Sequence, residues 1–418
     1  MPAKKIKLPV EKLLVGFMVD LELPWTKHPF LFSKFKITSK ADILIIKQLG
    51  LKEVTVYPDQ SDIEVAHKSQ SKSAATPKPA ATIAKEKWAE KNAKLENADK
   101  YRKKRNSVAK KYKEQATMVR KLTHELKTEP ANAIHNATAL VDVMAKDFDN
   151  QDDILTNLVN LGSGQHTMYN HCINVTILSM NIGHVRGIRD EQLRLLARGA
   201  LLHDVGKVEI PGPILNKASP LNNAEKKVFE QHPVLGRRLT ELVQGMPMDV
   251  LRIIEQHHEF NDGTGYPQGL KSDQITEMAK IVSVANMYDN LCNPPDIKKA
   301  LTPKVALATM YSKFKDKLDN ELVQTFISTL GVYPPGSVVC LNDESIGLVI
   351  SVDPHDMLNP EVILYNPEIP PLQALIIDLK EHPDLKIEKV LKQTEYPKRV
   401  YEYLGIQERL GYMTSQRI

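Results

Sequence analysis

The alternation of apolar and polar positions predicts a small α/β domain at the start of the chain. Residues 42–50 have the pattern of a short helix, and Gly50 is suited to end it because glycine readily adopts the left-handed conformation of a C-terminal cap. Residues 54–57 alternate and are β-rich, which predicts a strand. We therefore assign residues 1–65 to an α/β domain.

The next region, residues 66–130, changes from a linker to a charged helix. Residues 66–83 are rich in Ser, Ala, Lys and Pro and offer almost nothing to bury, whereas residues 84–128 contain no Pro or Gly and favour a helix. Apolar side chains recur there at helical spacing, at Val108, Tyr112, Val119, Leu122 and Leu126. This stripe predicts either a helical hairpin or dimeric coiled coil, and hence a homodimer, or one helix packed on the next domain.

The remaining chain separates into a helical and a β-rich region. Residues 131–330 have no alternating strand pattern and predict helices almost throughout. Residues 331–390 contain short β-like runs broken by Pro, Gly, Asn and Asp, so we assign 331–418 to a β-rich appendage and tail. The predicted fold is mainly α, with a small α/β domain before the helices and a small β-rich unit after them.

Composition and charge exclude several classes of protein. Of the 418 residues, 42% are apolar and 26% charged, and no aliphatic run approaches the roughly 20 residues of a membrane span. We expect no signal peptide, and the three widely separated cysteines fit a reducing cytoplasm. Residues 84–128 hold fifteen Lys and Arg against six Asp and Glu. We interpret them as a solvated helical face rather than a nucleic-acid site, because few aromatics stand between the lysines.

Histidines and one aspartate carry the chemistry. His203 and Asp204 lie in an otherwise apolar run, where burying both is costly unless something binds them. A second doublet, His257 and His258, and the isolated His171 and His232 belong to the same helical region. Imidazole and carboxylate ligands without thiolate suit iron, manganese or zinc, and a carboxylate can bridge two such ions.

Two segments carry a resemblance to a known family. Residues 203–207 (HDVGK) resemble the HD motif of the HD phosphohydrolase superfamily, and residues 257–267 (HHEFNDGTGYP) resemble the second signature of HD-GYP domains. Residues 23–30 (LPWTKHPF) are similar to a domain of uncharacterised function that often precedes HD-GYP domains. The resemblance implies that residues 131–330 form an all-helical HD-type metallohydrolase acting on cyclic di-GMP.

The resemblance also implies roles for individual residues. His171 and His203 would bind the first of two divalent ions, iron or manganese, with Asp204 bridging to the second. His232, His257 and His258 would bind that second ion. Lys207, four residues after His203, would stabilise negative charge developing on a phosphate. Gly265, Tyr266 and Pro267 would shape a substrate loop, in which Tyr266 faces either the substrate or a signalling partner such as a diguanylate cyclase.

Three positions depart from the family pattern. Asn286 stands where the last metal ligand is normally Asp, and its neutral amide would hold an ion more weakly; Asp289 is a less favoured substitute. Thr167 replaces the Glu that serves a third metal in some members, so we expect two metals at most. Lys298 is the one cation at a matching place of the phosphate-binding segment, and it lacks the bidentate fork of Arg.

Two functions follow from this pattern. The first is a phosphodiesterase that hydrolyses cyclic di-GMP to linear pGpG, GMP or both in bacterial signalling. The alternative is a degenerate member that acts as a cyclic di-GMP receptor or protein scaffold with little or no turnover. The retained histidines, Asp204 and Lys207 favour the first, and Asn286 with the altered phosphate segment favours the second.

Overall fold

The computed structural model describes residues 5–62, 79–126, 128–148, 168–217, 219–392 and 395–406. The chain forms two compact units, one of Met1–Tyr101 with Asn366–Ile376 and one of Arg102–Tyr365 with Ile377–Ile418. The mainly helical fold class is confirmed, with small sheets near both ends. No helix in the described ranges is long and apolar enough to cross a membrane.

The first unit is built on an antiparallel sheet. Its strands, in the order β1-β4-β2-β3, are β1 (Ile6–Pro9), β2 (Met18–Asp20), β3 (Lys34–Lys36) and β4 (Glu53–Val56). Ser39 is the N-terminal cap of helix α1 (Lys40–Gln48). The side chains of Ser39 and Asp42 form a reciprocal capping box. Gly50 follows the helix with a φ of 73°, as the predicted C-terminal cap requires.

Helix α2 (Ala80–Glu125) begins four residues earlier than the sequence pattern predicts. Residues 80–83, assigned above to the linker, form its first turn, because Pro79 accepts the first backbone bonds and Ile83 packs against the core of the first unit. The rest of the predicted linker, residues 66–78, lies outside the described residues.

The apolar stripe of α2 is buried within the chain. Tyr112, Val119, Leu122 and Leu126 belong to the same hydrophobic core as the helices that follow. Of the two alternatives predicted from the stripe, the structure therefore has the helix packed on the next domain. A homodimer through this stripe would have to displace that packing.

Helices form the centre of the second unit, and their core holds the functional residues. The helices after α2 are α3 (Pro130–Phe148), α4 (Met168–Val185), α5 (Asp190–Leu202), α6 (Gly212–Leu215), α7 (Asn223–Phe229), α8 (His232–Glu241), α9 (Met248–Gln256), α10 (Glu277–Cys292), α11 (Pro303–Lys313) and α12 (Asn320–Leu330). Helices α4, α5, α9 and α10 supply fully buried positions such as Leu178, Leu196, Ile253 and Ile281. Their close packing makes a rigid frame for side chains at their ends.

A sheet follows the helices. Its strands, in the order β8-β7-β6-β5-β9, are β5 (Val338–Leu341), β6 (Ile346–Asp353), β7 (Asp356–Leu364), β8 (Ile376–Asp378) and β9 (Ile387–Val390). Helix α13 (Lys398–Leu404) follows β9, and Arg105 of α2 donates to the carbonyl of Leu404 at its C-terminal end. This region carries the predicted β-like runs.

Candidate metal centre

Three helix ends place histidines of the centre. His203 follows α5, His232 begins α8 three residues after the end of α7, and His257 follows α9. Each directs its Nδ1 at the carbonyl three residues earlier, at 2.6 Å to Ala200 for His203, and at 2.8 Å for the other two. A carbonyl only accepts, so Nδ1 carries the proton and Nε2 presents a lone pair. Carbonyls that a helix end leaves without an intrahelical partner thus fix the rings.

His171 is oriented by a side chain instead. It lies on α4, and its Nδ1 donates to Oδ2 of Asp289 on α10 at 2.6 Å. The Nε2 of this ring therefore also presents a lone pair. Two helices that are distant in sequence cooperate to aim it.

The ligand atoms form two groups that share Asp204. One group is His171, His203 and Asp204; the other is Asp204, His232, His257 and His258. Oδ2 of Asp204 lies 3.6 Å and 3.4 Å from the Nε2 atoms of His171 and His203. Oδ1 lies 3.4 Å and 3.8 Å from those of His232 and His257. Each carboxylate oxygen therefore faces its own pair of imidazoles.

The spacing of the nitrogen atoms fits metal ions. The Nε2 atoms of His171 and His203 are 3.3 Å apart, as are those of His232 and His257. With the protons held on Nδ1, each pair brings two lone pairs together in a buried site, which is unfavourable unless a cation or proton lies between them. Neutral imidazoles and a carboxylate are ligands that divalent transition metals accept. These residues could therefore hold two divalent ions.

Asp204 is held as a carboxylate although it is buried. Asp204 is 1% exposed, and its Oδ1 accepts no hydrogen bond within the described part of the chain. Burial alone would raise its pKa, but Lys207 and His203 hold the pKa of Asp204 well below its usual range. The Nζ of Lys207 donates to Oδ2 at 2.5 Å. The oxygen without a donor is the one that faces the second group of histidines.

The histidines of the second group are kept neutral. Burial lowers the pKa of His232 to about 4 and lowers the pKa of His257 and His258 well below the usual range. A neutral ring is the form that ligates a metal. The second group is thus ready for a cation at neutral pH without first losing protons.

Two glycines allow the close packing of the centre. A Cβ at Gly206 would overlap the backbone of His232 and Gly236, so the turn after Asp204 lies directly on α8. A Cβ at Gly265 would overlap backbone atoms of residues 258–260. The first contact sets Asp204 beside His232, and the second folds the following loop against His258.

Glu259 holds that loop, which we define as residues 263–270. It is 2% exposed, and its carboxylate accepts from the backbone amides of Gln268 (2.6 Å), Gly269 (3.2 Å) and Leu270 (2.9 Å). Tyr266 stacks on the ring of His258 with centroids 4.6 Å apart, and burial raises its phenol pKa. Gly265, Tyr266 and Pro267 therefore border the second group of ligands.

Asn286, the residue expected to complete the first group, forms a hydrogen bond within its own helix. Asn286 is 4% exposed on α10, and its Oδ1 accepts from Nδ2 of Asn290 at 2.7 Å. Asp289, the less favoured substitute, binds the rear nitrogen of His171 rather than extending the ligand group. The role of Asn286 as a ligand stays a prediction.

Two further predicted features are not tested by the geometry of the ligand groups. Lys298 is exposed in a short 3-10 turn, where its backbone amide donates to Asp296, and its phosphate role stays a prediction. Thr167, on which the expected limit of two metals rests, lies outside the described residues.

Sequence reasoning missed the supports behind the ligands. Asp289 and Glu259 are carboxylates buried beside histidines, one a helical turn after Asn286 and one next to His258. Each position was visible in the motif. The partner of Asp289 was not visible there, because its bond to His171 joins residues 118 apart in sequence.

Comparison with known proteins places both parts of the chain. Residues 151–322 match the family described as HD domain, and residues 5–137 match a domain of unknown function, DUF3391. A cyclic di-GMP phosphodiesterase of Pseudomonas aeruginosa is 26% identical over 368 residues, covering 86% of this chain and 84% of that one.

Two further relatives match over shorter stretches. A cyclic di-GMP phosphodiesterase response regulator of Xanthomonas campestris pv. campestris is 38% identical over 128 residues, 30% of this chain and 34% of that protein. A 3′3′-cGAMP-specific phosphodiesterase of Vibrio cholerae is 31% identical over 165 residues, 39% of this chain and 35% of that protein. The resemblance inferred from the motifs is confirmed: residues 151–322 of this chain match the HD-domain family, and residues 5–137 ahead of them match DUF3391.

Proposed function

We propose that this chain is a metal-dependent phosphodiesterase that hydrolyses cyclic di-GMP to linear pGpG or GMP. The observation that carries the proposal is the pairing of imidazoles on the two oxygens of Asp204. A carboxylate between two ligand groups is the arrangement that two-metal phosphoryl chemistry needs. The similarity to phosphodiesterases of cyclic dinucleotides supports the substrate class.

The ligand types suit iron, manganese or zinc, and the family resemblance favours iron or manganese. His171 and His203 with Oδ2 of Asp204 would hold one ion, and His232, His257 and His258 with Oδ1 would hold the other. Two such ions supply Lewis-acid stabilisation of the phosphoryl oxygens and lower the pKa of water. Asn286 would complete the first site through the second lone pair of Oδ1, since only one hydrogen bond to that oxygen, from Asn290, is found in the described chain.

Residues beside the metals bind and orient the phosphodiester. Lys207 lies against Asp204 with its side chain 19% exposed, so its ammonium can neutralise charge developing on a phosphate oxygen. Tyr266 keeps its phenol proton at neutral pH and with Gly265 and Pro267 borders the second site. Lys298 would add a further positive charge for the phosphates. Partner binding through this loop, by a diguanylate cyclase for example, stays a prediction.

We place the reaction in the cytoplasm. The three cysteines form no disulfide, although all of them lie in the described chain. That pattern is typical of proteins in a reducing compartment.

The test is product analysis with matched variants. Protein purified without oxygen and loaded with Mn(II) or Fe(II) is incubated with cyclic di-GMP, and in parallel with 3′3′-cGAMP. Wild type and the control His355→Gln, at an exposed turn, are expected to form pGpG or GMP. Asp204→Ala is expected to form neither.

Three outcomes would contradict the proposal. Product from Asp204→Ala would place the chemistry elsewhere. Consumption of 3′3′-cGAMP with cyclic di-GMP intact would make the substrate wrong. Tight binding of cyclic di-GMP without cleavage under either metal would mean that the chain is a receptor.

A further inference from the structure

Behind the first group of ligands, buried side chains connect His171 to helix α2. Oδ1 of Asp289 accepts from Nδ2 of Asn174 at 2.8 Å and from Nδ2 of Asn293 at 2.6 Å, while Oδ2 accepts from His171. Oδ1 of Asn174 in turn accepts from the hydroxyl of Tyr112 at 2.7 Å. A chain of hydrogen bonds thus runs from Tyr112 through Asn174 and Asp289 to His171, a member of the first ligand group.

The carboxylate of Asp289 fixes which atom donates and which accepts in each of these hydrogen bonds. A carboxylate only accepts, so Asn174 must turn its amide nitrogen toward Asp289. Its amide oxygen then faces Tyr112, and the hydroxyl must donate. On its other oxygen the same carboxylate accepts from His171, so Nδ1 of His171 is the protonated nitrogen and Nε2 is the ligand atom.

The side chains joined by these hydrogen bonds are buried, so they are out of contact with bulk water. Tyr112 is 3% exposed, Asn174 4% and Asp289 0%. The ring of Tyr112 packs in the hydrophobic core, a task that Phe would also perform. The hydroxyl is a polar group buried for a reason other than packing, and its removal would leave the Asn174 oxygen without this donor.

We infer that Tyr112 is a positioning residue for the first metal site, acting through Asn174 and Asp289 on His171. The inference rests on the metal centre of the proposed function. No residue of α2 is in either ligand group found among the described residues, yet α2 helps set the geometry of one of them. Movement of α2 at Tyr112 would therefore change metal affinity at one site and leave the other unchanged.

The test compares Tyr112→Phe with Tyr311→Phe, a control at a half-exposed position on α11. Metal-free full-length protein is titrated with Mn(II) in competition with a chromogenic chelator, which gives a dissociation constant for each site. Loss of an outer partner of a metal-bound histidine typically weakens binding 10- to 100-fold. Tyr112 is two bonds further back, so we expect about a tenfold weakening at one site only.

Asp289→Asn keeps the size of the side chain but removes the carboxylate that holds His171, and it should weaken the same site further. Wild-type affinities at both sites in Tyr112→Phe would overturn the inference. Equal weakening of both sites, with a lowered Tm, would overturn it too, since that is what a merely structural role produces. Because the readout is metal affinity, the answer is obtained whether or not the protein hydrolyses cyclic di-GMP.

Discussion

At the scale of single residues, the centre depends on which nitrogen of each ring carries the proton. The Nδ1–H groups of His203, His232 and His257 donate hydrogen bonds to backbone carbonyls. The Nδ1–H group of His171 donates to Asp289. The lone pairs then converge on Asp204 from two sides. The adjacent His203 and Asp204 make this ligand set visible in the sequence, whereas the partners that orient the rings depend on the fold.

The low pKa of His232 predicts acid lability of the metal-free protein. Burial lowers the pKa to about 4, against about 6.5 in the unfolded chain. Between these values the unfolded chain binds a proton that the folded protein does not, so the free energy of unfolding falls as the pH falls. His232 alone should remove about 2 kcal/mol between pH 7.5 and pH 5.

Urea unfolding of chelator-treated protein at the two pH values measures this loss. His232→Gln should show a smaller pH dependence than wild type. His355→Gln, at an exposed position, should leave the dependence unchanged. Equal stability of the wild type at pH 7.5 and pH 5 would show that the buried histidines do not set the acid limit.

At the scale of elements, helix ends and one loop organise the site. The helices of the centre were predictable from periodicity, because apolar positions such as Leu196 and Ile253 recur on their buried faces. The start of α2 was not, because Ile83 is fixed by packing on a distant core rather than by its neighbours in sequence. The loop after Glu259 was recognisable from its glycines, but the carboxylate that closes it was not.

Glu259→Gln should loosen residues 263–270 while leaving the metal ligands in place. Both carboxylate oxygens of Glu259 accept hydrogen bonds from backbone N–H groups. A Gln side chain would replace one of these oxygens with an NH2 group, which cannot accept a hydrogen bond from a backbone N–H. A lost hydrogen bond to a charged acceptor costs about 2 kcal/mol. Hydrogen exchange at Gln268–Leu270 should therefore accelerate about 30-fold, and the KM for cyclic di-GMP should rise.

Glu241→Gln, at an exposed position on α8, is the matched control and should exchange as wild type does. Unchanged exchange at residues 268–270 in Glu259→Gln would show that the loop is held by other contacts. Loss of bound metal in the same variant would show that Glu259 supports the ligands rather than the loop.

At the scale of the whole molecule, two parts of different character share one long helix. Helix α2 contributes residues to both compact units, and its hydroxyl at Tyr112 reaches the support of His171. The charge excess and apolar stripe of α2 predicted a helix, but they did not reveal this polar role. A tyrosine at a stripe position looks like any other core residue until its bond to Asn174 is seen.

The two ligand groups that share Asp204 would hold two metal ions, and both ions would be needed for the proposed hydrolysis. The most direct measurement is the rate of cyclic di-GMP cleavage by metal-free protein as Mn(II) is added stepwise and bound metal is counted. We expect the rate to stay low up to one bound ion and to rise as the second binds, and we expect no cleavage at any step in Asp204→Ala. Full activity with one ion, or none with two, would contradict this expectation.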